Sequence, residues 1–302
     1  MERKVIQLAG RTLVVSLPSA WARKYHVKKG DGVNVVERGK ELHIGSQGVK
    51  EEGTVKLELN GDAAFIKRRV SVAYKRGFDT LEVSFSDEKT IRLVQEELQG
   101  LIGFEITHHG RHSATIKNVA ETLDSEFDTM LRRVFLMLLE LAEGSFSAIE
   151  AREYGKLGEI KLGEDTNDRF TSLCKRILNK KGFSEPKTGN LLYCIVWELE
   201  KIADGYEQIC EVLEGKKKYG LKRETLDLYR DVNQFLRLFY ELYYDFSEKK
   251  GSAFSAQYKE LDRKGKVLLK GVEGDEVLVV HYLVDLVMRI HEVAGPYYGM
   301  VL

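Results

Sequence analysis

The sequence lacks the features that would place the chain outside the cell or in a membrane. It has only three cysteines, with no CxxC pair, and this pattern predicts buried, reduced thiols in a cytoplasmic protein. Its longest apolar stretches are interrupted by polar residues, as at His281 and Asp285, so no membrane insertion is expected. The charged N-terminus leads into a short alternating segment without the apolar core of a signal peptide. The cysteines are Cys174, Cys194 and Cys210.

The common sequence signatures of catalysis are also missing. There is no Walker-type loop, no GxSxG elbow, no HExxH motif and no Cys/His pair at metal spacing, so we do not expect an enzyme. A net charge is missing too, since 47 basic side chains balance 47 acidic ones. The charges are nevertheless unevenly distributed along the chain. Residues 1–46 hold nine Lys/Arg and four Asp/Glu, whereas residues 119–302 hold 27 Lys/Arg and 32 Asp/Glu. A basic start favours a polyanionic partner, and an acidic tail favours metal ions or a protein partner.

Residues 1–46 have short apolar segments separated by turn residues, which predicts the element order ββαββ. Pro18 fits the first turn of a short helix that continues to about Tyr25. A unit of this size is too small for a hydrophobic core of its own, so we expect two copies to share one barrel as a homodimer.

The same residues resemble a known family. Gly10-Arg11-Thr12, the Leu17-Pro18 pair with Trp21 three residues later, and the Lys29-Gly30-Asp31 turn are similar to the AbrB/MazE/SpoVT swapped-hairpin transcription factors. The resemblance implies a dimeric β-barrel that binds DNA through basic residues of its first strands and loop. The alternative is that these charges only solubilise a dimerisation module. The basic residues expected to contact DNA are Arg3, Lys4, Arg11, Arg23 and Lys24.

Residues 47–118 begin with a polar linker and then alternate strand and helix patterns as βαβαββ. This order predicts a small α/β domain. Beyond Val119 the apolar period becomes that of helices. Gly and Pro divide the region into about six helices, which are grouped most simply as two three-helix bundles, 119–217 and 218–302. The fold class expected for the whole chain is therefore multidomain α+β.

Acidic residues recur at helical spacing in the first bundle. Glu164 and Asp168 are four residues apart, as are Glu200 and Asp204, so each pair lies on one face of its helix. If the two helices lie side by side, the four carboxylates would converge on a divalent or ferric cation such as Mg, Zn or Fe. The competing interpretation is a solvated acidic face, because the acids lie roughly opposite the apolar positions.

The six helices with these two acidic pairs resemble the PhoU fold. That resemblance implies metal binding at the acidic pairs and regulation of phosphate uptake together with a transporter. In the second bundle Met288 stands where Glu200 stands, so the pattern is incomplete there. The combination of the two resembles archaeal phosphate uptake regulators, and the resemblance covers nearly all of the chain except residues 47–118. It implies a DNA-binding transcriptional regulator whose partners are DNA and a transporter or signalling protein. The alternative is a regulatory subunit of a phosphate transporter that does not bind DNA, in which residues 1–46 serve only as a dimer clamp.

Overall fold

The computed structural model describes residues 2–8, 10–46, 53–120, 126–181, 186–216 and 220–301. The chain divides into two compact units, Met1–Glu52 and Gly53–Leu302. The mixed α+β class with a helical C-terminal region is confirmed. Most of the predicted linker, residues 47–52, lies outside the described residues, as do the ends of the first predicted bundle at 121–125 and 217–219.

The first unit consists of two separate antiparallel hairpins and one short helix. Strand β2 ends at Val14, because its partner strand begins at Ile6, the residue opposite Val14. Gly10 and Gly39 supply the positive φ that the two hairpin turns require. The elements are β1 (Ile6–Leu8), β2 (Thr12–Val14), α1 (Ser19–Lys24), β3 (Val33–Arg38) and β4 (Glu41–Ser46).

None of the described residues of this unit is buried, even at its apolar positions. Leu13 is 68% exposed and Leu42 is 66% exposed. Burial of such side chains is the main favourable term in folding, at about 1.5–3 kcal/mol each. The hairpins alone therefore leave the unit without a core.

The second unit begins with a four-stranded sheet in the order β5-β6-β8-β7, in which β5 and β6 are parallel and the other neighbours antiparallel. Alternate residues of the sheet, such as Leu81 and Val83, are buried with residues of two helices, such as Val70 and Val94. The elements are β5 (Thr54–Glu58), α2 (Ala63–Lys75), β6 (Thr80–Ser84), α3 (Thr90–Leu98), β7 (Phe104–His109) and β8 (Ser113–Asn118).

Six long helices follow in the described part of the chain, and their buried residues form one continuous core. Helices α6 and α9 lie in close contact, because Gly205 leaves room for the side chain of Leu286. Within the described residues, no helix combines the length and apolarity needed to cross a membrane. The helices are α4 (Phe127–Glu150), α5 (Leu157–Lys181), α6 (Pro186–Leu213), α7 (Arg223–Tyr244), α8 (Glu248–Leu269) and α9 (Asp275–Val301), with a short 3-10 helix at Tyr154–Lys156.

The prediction of buried cysteines is correct for Cys174 and Cys210 and wrong for Cys194, which is exposed. The reason is helical geometry: Cys194 precedes the fully buried Ile195 on α6, and consecutive residues are turned by about 100°. The apolar composition of this segment of the sequence does not show that Cys194 is exposed and Ile195 buried.

Helix α5 joins the α/β sheet to the helical core through Arg176, which is almost fully buried. Its guanidinium donates to the backbone oxygens of Tyr74 (2.9 Å) and Phe78 (2.6 Å) and to the carboxylate of Asp79 (2.7 Å). Lys180, one turn later, also donates to Asp79. Gly77 has a positive φ and passes so close to Lys180 that a Cβ there would meet its side chain at 3.2 Å.

Candidate functional site

The acidic residues of α5 and α6 come together as a three-residue cluster. Glu164 and Asp168 lie one turn apart on α5, and Asp204 lies opposite them on α6, with one oxygen from each residue within 4.8 Å of the others. The i, i+4 spacing aligns the first two carboxylates, and the side-by-side contact of α5 and α6 brings the third. We call Glu164, Asp168 and Asp204 the acidic triad.

Two acids of the triad, Glu164 and Asp168, hold protons more tightly than ordinary carboxyls. Burial, together with the negative charges of Asp168, Glu207 and Asp204, raises the pKa of Glu164 to about 9. Burial, with the charges of Glu200 and Asp204, raises the pKa of Asp168 to about 6. One carboxylate oxygen of Asp168, Oδ1, is buried without a hydrogen-bond partner. The triad therefore combines crowded negative charge with an unsatisfied buried acceptor.

The fourth predicted ligand, Glu200, lies one turn from Asp204 but belongs to a different arrangement. Its carboxylate accepts hydrogen bonds from the ammonium of Lys175 and from the hydroxyl of Thr171 (3.3 Å). Burial alone would raise the pKa of Glu200, but Lys175 lowers it below its usual range. Burial in turn lowers the pKa of Lys175. The structure thus brings three of the four predicted acids together and commits Glu200 to a buried ion pair. Within the triad, Asp204 accepts a hydrogen bond from the ammonium of Lys201 on the same helix, which a bound metal would have to displace.

The competing interpretation of a solvated acidic face is wrong for two of these acids, since Glu164 and Glu200 are buried. The helical spacing alone placed them opposite the apolar stripe, but contact between α5 and α6 covers both helices on that side. Further along α6 the acidic side chains do meet solvent, and there Glu211 pairs with Lys161 at 3.4 Å.

The spacing of the acidic residues does not point to Lys175, although the sequence carries a signal for it. Lys175 and Arg176 interrupt the apolar run from Leu173 to Leu178, and all of these residues are buried. Charges within a buried apolar run need partners, because an unpaired buried charge is costly. Such a run predicts two buried ion pairs, here with Glu200 and Asp79.

The donor set of the acidic triad defines which metals it suits. All three ligand atoms are carboxylate oxygens, which hard cations such as Mg²⁺ and ferric iron prefer, whereas Zn²⁺ more often takes nitrogen or sulfur. Water would complete the coordination of such an ion. In the described part of the chain, this is the group of three His, Cys, Asp or Glu side chains whose ligand atoms lie within 4.8 Å of one another.

The predicted DNA-contacting residues are all exposed on the first unit. Arg11 lies in the β1–β2 turn directly after Gly10, and Arg3 and Lys4 precede β1. Arg23 and Lys24 form the last turn of α1, where Lys24 donates to the hydroxyl of Tyr25 (2.9 Å). Among the ion pairs of the described residues, none involves Arg3, Lys4 or Arg11.

Comparison with known proteins gives no relative: the sequence matches no family model, no curated protein and no solved structure.

Proposed function

We propose that the chain is a dimeric, cytoplasmic, DNA-binding transcriptional regulator of phosphate uptake whose helical region senses a metal ion or binds a signalling partner. The observation that carries the proposal is the state of the first unit. It presents exposed apolar residues and exposed basic residues, and none of its described residues is buried.

A second copy of the chain supplies what the first unit lacks. The two hairpins expose Ile6, Leu8, Leu13, Val35 and Leu42, and each is more than half exposed. Interleaving two copies into one barrel, as in the AbrB/MazE/SpoVT proteins that the segment resembles, would bury these side chains. The same assembly would double the basic surface, which attracts the DNA backbone.

The link to phosphate uptake rests on the helical region. Its six helices and its acidic residues on α5 and α6 support the resemblance to the PhoU fold. A regulator that combines such a region with a DNA-binding segment would report a metal-dependent or partner-dependent state to a promoter.

The DNA-binding part of the proposal predicts that the protein binds fragments of its own genome. The logarithm of the association constant should fall linearly with the logarithm of the salt concentration. Arg11→Ala should weaken binding and lower the slope by about one, the loss expected for one phosphate contact. Fluorescence anisotropy with labelled fragments selected by sequencing co-purified DNA measures both quantities.

The matched control for Arg11→Ala is Arg111→Ala, which also removes an exposed arginine from a hairpin turn but lies in the α/β domain. Light scattering should show a dimer for both variants. Absence of binding at low salt would refute the DNA-binding proposal. A dimer without DNA affinity would favour the transporter subunit in which the first unit is a clamp.

The metal part of the proposal predicts that Mg²⁺ or Fe³⁺ binds at the acidic triad and that affinity rises with pH. Binding must displace protons from Asp168 and Glu164, whose pKa values are about 6 and about 9. Without metal, both raised pKa values mean that the folded state holds more protons than the unfolded state, so stability falls as pH rises from the ordinary carboxyl values of about 4 to about 6 for Asp168 and to about 9 for Glu164. Added metal should reduce that loss. Thermal unfolding with and without Mg²⁺ between about pH 4 and about pH 9 measures both trends.

Asp204→Asn should weaken Mg²⁺ binding at least tenfold, or about 1.4 kcal/mol, because it removes a ligand from the triad. Glu211→Gln is the control, since it removes a carboxylate from the same helix that lies outside the triad. Equal effects of the two substitutions, or an affinity independent of pH, would contradict metal binding at this site.

A further inference from the structure

A polar cavity of about 450 Å³ lies between the α/β sheet domain and α5. One wall comes from α2 and from α3 with the turn after it, and the other comes from α5. Its volume is in the range of small-molecule sites. The side chains that bear on the argument are Ser71, Lys75, Glu96, Glu97, Asp168 and Arg169.

Charges of both signs line the cavity without being paired to each other. In the described part of the chain, neither Lys75 nor Arg169 forms an ion pair or a side-chain hydrogen bond. On the acidic side, Asp165 also forms no ion pair, and Oδ1 of Asp168 is buried without a hydrogen-bond partner. Lys75 is close enough to lower the pKa of Asp168.

The remaining acids of the wall are already engaged. Glu96 pairs with Lys67 at 2.7 Å. Burial raises the pKa of Glu97, which shares a hydrogen bond with Ser71. The charged groups of the wall that form no ion pair in the described part of the chain are therefore two cations, Lys75 and Arg169, and two carboxylates, Asp165 and Asp168.

We propose that this cavity binds a small zwitterion of the amino-acid type, with its acid group held by Lys75 and Arg169 and its ammonium group held by Asp168 and Asp165. A purely anionic ligand would satisfy the two cations but meet two carboxylates, and a purely cationic ligand would face the reverse conflict. Only a molecule with both charges pairs the cations and the carboxylates of the wall at the same time.

The location gives such a ligand a structural consequence. It would touch α2 and α3 on one side and α5 on the other, so it would tie the α/β domain to the helix that carries two residues of the acidic triad. The inference does not depend on the first unit or on DNA binding, and it is tested by ligand binding alone.

The test uses the full chain and the complete set of proteinogenic L-amino acids at millimolar concentration. Each active amino acid is compared with its decarboxylated amine, its N-acetyl derivative and inorganic phosphate. We expect at least one amino acid to raise the melting temperature by about 2 °C or more. Isothermal titration calorimetry should then give a dissociation constant at least tenfold lower than those of the amine, the N-acetyl derivative and phosphate, a difference of about 1.4 kcal/mol.

Lys75→Met and Arg169→Met should each raise the dissociation constant at least tenfold, whereas Lys75→Arg should restore most of the affinity by keeping the charge. Lys56→Met is the control, because Lys56 is an exposed lysine of the same domain outside the cavity. Arg169 is exposed, so its substitution tests the site even where Lys75→Met impairs folding. Failure of every amino acid to bind, or equal affinity for a singly charged analogue, would overturn the proposal. So would equal effects of the Lys75→Met and Lys56→Met substitutions.

Discussion

Lys175→Met should lower the free energy of unfolding by about 3–5 kcal/mol, the usual cost of removing one partner of a buried ion pair. The side chain of Lys175 has no exposed surface, and that of Glu200 is 11% exposed. Methionine fills similar space but leaves the Glu200 carboxylate with the Thr171 hydroxyl as its hydrogen-bond donor and with the ammonium of Lys201, 4.0 Å away, as its remaining ion-pair partner. Chemical denaturation followed by circular dichroism measures the loss.

The cause of this loss is distinguishable from simple repacking by a second substitution. Glu200→Gln in the Lys175→Met background removes the buried charge that has lost its hydrogen-bonded cation, so the double variant should recover most of the lost stability. The ammonium of Lys175 lies 4.7 Å from the ring centre of Trp197. In a Trp21→Phe background, where Trp197 is the remaining tryptophan, Lys175→Met should also change the native fluorescence.

Lys264→Met is the matched control for Lys175→Met. Lys264 pairs with Asp231 on the helical region, but both side chains are about one third exposed. Pairs of this kind contribute about 0–1 kcal/mol. A similar loss of stability in the two variants, or no recovery in the double variant, would show that the Lys175–Glu200 pair does not have the energetic role assigned to it.

Arg176→Met should separate the unfolding of the α/β domain from that of the helices. Its guanidinium lies 4.9 Å from the ring centres of Tyr74 and Phe104 and holds the buried carboxylate of Asp79. Methionine would leave Lys180 as the remaining ion-pair partner of Asp79 and would remove one hydrogen bond from each of two backbone oxygens. The expected loss is again about 3–5 kcal/mol, now at the contact between the domains.

Calorimetry should show two transitions for Arg176→Met, and hydrogen exchange should become faster in residues 53–120 than in the helical core. Arg176→Lys should not restore the native behaviour, because an ammonium cannot make the same forked set of hydrogen bonds. The control is Arg237→Met, which removes a half-exposed arginine that lies 3.5 Å from Glu143 between two helices. A single unchanged transition for Arg176→Met would refute the role of this residue in coupling the unfolding of the α/β domain to that of the helices.

Much of the chain's local structure follows from its sequence. The first helix of the order βαβαββ is observed at Ala63–Lys75, and its start is fixed by Asp62, whose side chain accepts a hydrogen bond from the backbone N–H of Phe65. The periodic apolar positions of α6, such as Ile195, Leu199 and Ile202, are fully buried. Such patterns are readable because they depend on residues a few positions apart.

The candidate site was predictable only in part, for the same physical reason. The spacing of Glu164 and Asp168 shows that they share a face of α5. It does not show which residue of α6 lies opposite, because that depends on how two helices are aligned. The alignment selects Asp204 for the triad and gives Glu200 to Lys175, a residue 25 positions earlier in the sequence.

The sequence by itself determined the order of elements, the basic character of residues 1–46 and the acidic pairs of the helical region, since composition and short-range periodicity carry that information. Only the tertiary structure decided which charges became partners. It buried Lys175 and Arg176 against Glu200 and Asp79, and it left Lys75 and Arg169 unpaired around a cavity. The energy of a charge depends on its distance from other charges and from water, and both are set by contacts between residues far apart in the chain.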